Sequence, residues 1–243
     1  MTTLLKTGPD IYPETDGLPL SDNTKQLRLI LTTKGGLDTL FADEKVFVAG
    51  NLLWFPVKDS SESKAPDIMV VFGQYKGDRT SYMQWLEGNI GPQVAFEFVS
   101  LNNSTKEVEV DKLAFYQKHG IDEYYIHDPD EGTLKGWVRE GTWFQPIPEM
   151  NGWVSPLMNI RFEMLGNDLQ LYYPDGRPFE TYPEVMKRAE AAEQERDRER
   201  QLRAQEQQRA EQAESRLGQL TAQLSTLSPE QLKALGIDPE LLG

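Results

Sequence analysis

Ala65-Pro66-Asp67-Ile68-Met69-Val70-Val71-Phe72 and Val94-Ala95-Phe96-Glu97-Phe98-Val99-Ser100 are the two stretches on which the reading of this chain turns. Each is an apolar run of strand length that carries one acidic residue. Short continuous runs of this kind suit strands covered on both faces of a sheet. Pro66 opens the first, which leaves Asp67 at its mouth. Glu97 stands inside the second, where a charge is costly unless it is paired or binds a metal. Spacing alone leaves a second possibility open, a strand edge with the Glu97 carboxylate in water or on a backbone amide.

Working outward, Lys106 to His119 has Val108, Leu113, Phe115 and Tyr116 at roughly helical spacing, and Gly120 ends it. Lys112 lies early on that helix. If the two strands are neighbours, Asp67, Glu97 and Lys112 converge. Hard carboxylate oxygens suit Mg²⁺, and an ammonium beside them suits a developing oxyanion. A solvated helix lysine is the plain alternative for Lys112. Upstream, Thr24 to Phe41 has helical spacing that Gly35-Gly36 is expected to break or kink. Lys45 to Val57 suggests a β-hairpin turning at Gly50-Asn51. Gly73 to Gly91 reads as a polar loop whose Arg79, Tyr82 and Trp85 could face a substrate, although packing suits Trp85 better. Glu123 to His127 is a strand that stops at Asp128-Pro129. Residues 134–139, 142–147, 159–165 and 168–173 are short strands, with a tight hairpin at Gly166-Asn167-Asp168.

Composition changes abruptly at Tyr182. Glu, Gln, Arg and Ala dominate to about Leu227, with no Gly or Pro from Glu184 to Leu217. Val185, Ala189, Ala192, Arg196, Glu199, Arg203, Glu206, Ala210, Ala213, Leu217, Leu220, Leu224 and Leu227 follow an alternating four-three spacing, which predicts a coiled-coil seam, at least from Ala210 onward. A solvated helix with charge pairs four apart is the other reading. The expected organisation is an irregular arm over residues 1–22, a folded body over 23–180, a charged helical tail over 181–227 and a short helical end over 228–243.

The chain has 243 residues and no cysteine, so disulfides, thiolate metal sites and a Cys nucleophile are excluded. No apolar run approaches the roughly 20 residues of a membrane span, and the N-terminus lacks a signal-peptide core. A cytoplasmic protein is expected. The net charge is −14, and the residues before Thr181 carry 16 basic against 27 acidic groups. That body, at −11, repels phosphate backbones at long range. No Ser-His-Asp motif supports a small-molecule hydrolase. His119 at a helix end and His127 at a strand end read as structural.

These stretches, with Asp111-Lys112-Leu113-Ala114-Phe115-Tyr116 and Gly120-Ile121-Asp122-Glu123-Tyr124-Tyr125-Ile126-His127-Asp128-Pro129, resemble the Uma-two family of restriction-endonuclease-like proteins in the PD-(D/E)XK nuclease superfamily. The resemblance covers roughly residues 25–175. It implies an α/β fold with a restriction-endonuclease-like core: a mixed sheet flanked by helices, with extra β-hairpins and the C-terminal coiled-coil-type helix appended. It implies Pro66-Asp67 as the PD element and Glu97 as the second acid. The superfamily lysine falls at Val99, and the family offers one from the next helix instead, here Lys112. The implied activity is DNA endonuclease chemistry with Mg²⁺ (or Mn²⁺) on Asp67 and Glu97. Members often carry an acid near the turn glycine of the first hairpin. Asn51 stands there, and Glu44 is the nearest substitute. The alternative expectation is a nuclease-fold scaffold that acts through protein contacts of its tail. A homo-oligomer, a dimer through that tail, is expected in either case.

Overall fold

The computed structural model of the protein describes residues 12, 13, 21, 23–100 and 107–238. Asn23 starts α1 (Thr24–Leu40), its side chain accepting the Gln26 N–H at 2.9 Å, as an N-cap should. Gly35-Gly36 does not break the helix. Phe179 packs so tightly on Gly36 that a Cβ there would clash with its ring. The glycine is a close-approach position, which offsets its poor helix propensity.

Strands β1 (Val46–Gly50), β2 (Trp54–Phe55), β3 (Ile68–Phe72), β4 (Tyr82–Met83) and β5 (Val94–Phe98) follow. The hairpin expected at Gly50-Asn51 is not formed. Instead β1 pairs with β3, Gly50 opposite Ile68, and β2 pairs in parallel with β4. Asn51, at φ +47°, turns the chain, and its N–H points at the Pro66 and Asp67 carbonyls at 3.1 and 3.2 Å. The apolar partner of β1 is therefore the strand arriving at Asp67. The second run is short because Pro56 has no N–H to continue a ladder.

A π-helical stretch, Glu107–Lys112, runs into α2 (Leu113–His119), which Gly120 ends at φ +89°. Then come β6 (Glu123–Asp128), β7 (Thr133–Glu140), β8 (Trp143–Pro146), β9 (Arg161–Leu165) and β10 (Asp168–Tyr172). The main sheet runs β1-β3-β5-β6-β7-β8, with only β5 and β6 parallel. The β9–β10 hairpin turns at Gly166-Asn167. This mixed sheet is covered on both faces, which is why β3 and β5 are apolar throughout. One face holds Ile30, Leu37, Val70, Phe96, Tyr125 and Phe162. The other holds Trp54, Met69, Ala95, Phe115, Tyr116 and Tyr124.

The chain divides into two units, residues 1–182 and 183–243. The helix α3 (Tyr182–Ser225) has 44 residues and buries none. At 1.5 Å per residue it is about 66 Å long. Ser228 then caps α4 (Pro229–Ala234) in a reciprocal pair of hydrogen bonds with Gln231. Among the described residues no helix is long and apolar enough to cross a membrane.

Candidate metal and phosphodiester site

β3 and β5 set Ile68 opposite Phe96. One step further along the same register, Asp67 comes opposite Glu97. Both side chains then leave the sheet on the face of Met69, Ala95 and Val99, the face α2 covers. Lys112 and Tyr116, four residues apart and so on one side of the helix, descend on Glu97 together. The Lys112 ammonium lies 2.7 Å from Glu97 Oε2 and 3.3 Å from the Ala65 carbonyl. The Tyr116 hydroxyl donates to Glu97 Oε1 at 2.7 Å. The three residues singled out in the sequence thus meet in one place. They are all buried: Asp67 is 5%, Glu97 1% and Lys112 8% exposed.

Asp67 is held from the other side. Its Oδ2 accepts the Phe98 N–H at 2.7 Å and a longer contact from Gln26 Nε2 at 3.5 Å. The same Gln26 nitrogen donates to the Phe98 carbonyl at 2.9 Å. Among the described residues Oδ1 of Asp67 accepts no hydrogen bond. Burial pushes the Asp67 carboxyl up to about 7, and the Glu97 charge pushes the same way. Lys112, the Phe98 N–H and Gln26 pull it down without cancelling the effect. The two acids and the Lys112 ammonium are thus electrostatically coupled, and burial with the neighbouring Glu97 charge favours the protonated form of Asp67. The Tyr116 hydroxyl, raised well above its usual range by burial and by Glu97, stays a neutral donor.

Gln26 and Tyr116 were not singled out in the sequence. Gln26 shares the buried face of α1 with Ile30, Thr33 and Leu37, so the available signal was a polar side chain at a core position. Tyr116 was legible as core, but its hydroxyl partner was not. Glu44 does not replace the carboxylate absent at Asn51. It is exposed and precedes the far end of β1, which lies about 13 Å along the strand from Gly50. Asn51 itself sits at the site end, bonded to the Asp67 carbonyl.

The remaining candidates serve packing. The His119 ring lies against Phe115 and Trp54, and His127 Nδ1 meets the Thr133 carbonyl at 3.0 Å. Burial lowers both imidazole pKa values. Arg79 is chelated by Glu87 and stacks on Phe47, Tyr82 is buried, and Trp85 packs on Tyr12.

Residues 21–160 match the Uma2 family, described as "Putative restriction endonuclease". The chain belongs to this family. The Uma2 match spans both acids, Lys112 and Tyr116. Among solved structures, similarity extends to "a putative nuclease belonging to DUF820" from Anabaena variabilis ATCC 29413. That similarity has 16% identity and a TM-score of 0.41, and covers 54% of this chain and 73% of the other. No curated protein matches.

Proposed function

We propose that this Uma2 protein is a Mg²⁺- or Mn²⁺-dependent DNA endonuclease, with Asp67 and Glu97 as the metal carboxylates and Lys112 as the cation beside the reacting phosphate. The observation that carries this reading is the pairing of two buried acids on adjacent strands with the Lys112 ammonium 2.7 Å from Glu97. Among the described residues no group of three His, Cys, Asp or Glu side chains gathers. The donor set therefore does not fit zinc, which takes three or four protein ligands. It fits Mg²⁺, which is bound through one or two carboxylates and keeps several waters. A cation so held supplies a water of lowered pKa and offsets charge on the phosphodiester.

The chain's own groups do the rest. Gln26 and the Phe98 N–H fix one oxygen of Asp67 and leave Oδ1 toward the ligand. Tyr116 fixes Glu97 through Oε1. Lys112 pairs with Glu97 and would place its positive charge beside a developing oxyanion. Its neighbour Ala65 lies next to a groove of about 410 Å³ lined by Lys64, Lys118, Glu62 and Asp111 among others, which carries both signs of charge. With the body at −11, DNA association is expected to be weak and to weaken further with salt.

Incubation with supercoiled plasmid and Mg²⁺ or Mn²⁺ tests the proposal. The wild type should nick or linearise it, and Asp67→Ala and Glu97→Ala should not. Equal cleavage by all three would identify a contaminant and end the assignment. A second reading, a nuclease-fold scaffold without catalysis, draws on both Glu97 oxygens being engaged by Lys112 and Tyr116 and on the lack of a carboxylate at Asn51. Absence of cleavage by wild type in either metal would favour it.

A further inference from the structure

The tail offers a self-complementary surface that is independent of the nuclease reading. The α3 helix is continuous from Tyr182 to Ser225 and buries no residue, and its seam side chains Val185 and Leu217 are 38% and 65% exposed. Read forward from Val185, the seam is Val185, Ala189, Ala192, Arg196, Glu199, then Arg203, Glu206, Ala210, Ala213, Leu217. Read backward from Leu217, it is apolar, Ala, Ala, Glu, Arg, then Glu, Arg, Ala, Ala, apolar. The order is therefore a palindrome in which every charge is replaced by its opposite. Its centre lies level with Gln201.

We propose that two copies of this chain pair through α3 as an antiparallel two-fold coiled coil centred at Gln201. In a two-fold interface, if residue i meets j then j meets i. Here Arg196 meets the partner's Glu206, and Glu199 meets the partner's Arg203. The Ala192 and Ala189 layers meet the partner's Ala210 and Ala213, and Val185 meets the partner's Leu217. Glu199 and Arg203 already approach within 4.0 Å along their own helix, so the two-fold closes them into a ring of four alternating charges. Alanine layers on both sides let the helix axes come close. A parallel pair in register would stack Arg196 on Arg196 and Glu199 on Glu199, and likewise at residues 203 and 206. Four like-charge layers would then sit in the seam, which opposes association. Sliding the antiparallel pair by one heptad would set Ala against Arg, so the charge order also fixes the register.

The flanking positions agree in part. Glu195 comes beside the partner's Arg209, and Leu202, 52% exposed, beside the partner's Leu202. Arg200 comes beside its own copy, and it is already paired with Asp197 in its own chain at 3.5 Å. Arg188 comes beside the partner's Arg216, a like-charge contact like that of Arg200 with its copy, and at the rim solvent screens it. The leucines beyond the palindrome, Leu220, Leu224 and Leu227, would favour a parallel pair, so the two arrangements make opposed claims on the same helix.

The absence of native cysteine makes the test direct. The full chain carrying Ser215→Cys is labelled with a nitroxide, and the label-to-label distance is measured by pulsed dipolar spectroscopy. The antiparallel pair separates the two labels by 28 residues of helix, about 42 Å. A parallel pair holds them at one level, within roughly 20 Å given axes 8–10 Å apart. The short distance, or no dipolar coupling, overturns the proposal. A charge exchange checks the register. Arg196→Glu with Arg203→Glu should weaken the dimer at least about tenfold by sedimentation, a loss of about 1.4 kcal/mol. Adding Glu199→Arg with Glu206→Arg should restore it. Failure to weaken, or failure to restore, overturns the register.

Discussion

Glu97 and Glu123 are two buried carboxylates on neighbouring parallel strands, 1% and 2% exposed. They sit at opposite ends of that pairing, Glu97 across from Ile126 and Glu123 across from Val94. Their surroundings differ in kind. Glu97 has an ammonium, a phenol and a second acid opposite it. Among the described residues Glu123 has neutral donors alone: the Tyr125 hydroxyl at 2.9 Å, Ser155 Oγ at 2.5 Å and the Leu157 N–H at 2.8 Å. These donors tie the loop before β9 to the sheet, while burial still raises the Glu123 carboxyl. A charge inside an apolar strand therefore does not mark a reactive site. What sets the Asp67 and Glu97 pair apart is two acids and an ammonium gathered in one place, with the Asp67 carboxyl raised by burial and by Glu97.

The comparison can be broken most sharply by activity. Asp67→Ala or Glu97→Ala should lower metal-dependent cleavage by at least about 100-fold, the scale of losing a group that stabilises the transition state. Glu123→Gln should leave cleavage within a few-fold of wild type. Loss with Glu123→Gln in a folded protein would show that both acids belong to one site. Stability should invert the order. Glu123→Ala leaves three buried donors without their acceptor, which should cost about 2–4 kcal/mol in urea unfolding. A loss under about 1 kcal/mol would mean that water replaces the carboxylate.

The smallest effect concerns pH. Asp67 is raised from 3.8 to about 7, so between those values the folded state holds a proton that the unfolded chain has released. Native stability is then unaffected by this group below about pH 4 and falls as pH rises toward about 7. Asp67→Asn removes that cost. It should raise Tm by a few degrees at pH 8 and leave it unchanged near pH 4. A lower Tm at pH 8 would show that the ion pairing with Lys112 outweighs burial.

Much of this was legible in the sequence. Continuous apolar runs bounded by Pro66 and Ser100 gave strands buried on both faces, and Gly120 gave the helix stop. The odd placement of Asp67 and Glu97 pointed to the site, while Lys112 rested on the family pattern. The pairing of β1 was not legible, because an apolar run does not say which other run it joins, and Asn51 sends the chain to Asp67 instead of into a hairpin. Gly35-Gly36 looked like a helix break because the Phe179 ring that packs on Gly36 comes from a segment more than a hundred residues away. Glu123 passed unremarked for a related reason: its three partners lie on its own strand and on a loop whose position only the tertiary structure fixes.

Calorimetric titration of the metal-free protein with Mn²⁺ tests the central claim most directly, since it reads binding without requiring DNA. Wild type should bind at one carboxylate site, Asp67→Asn and Glu97→Gln should each lose that binding, and Glu123→Gln should keep it. No binding by wild type, or equal binding by wild type and Asp67→Asn, would contradict the assignment of Asp67 and Glu97 to a metal.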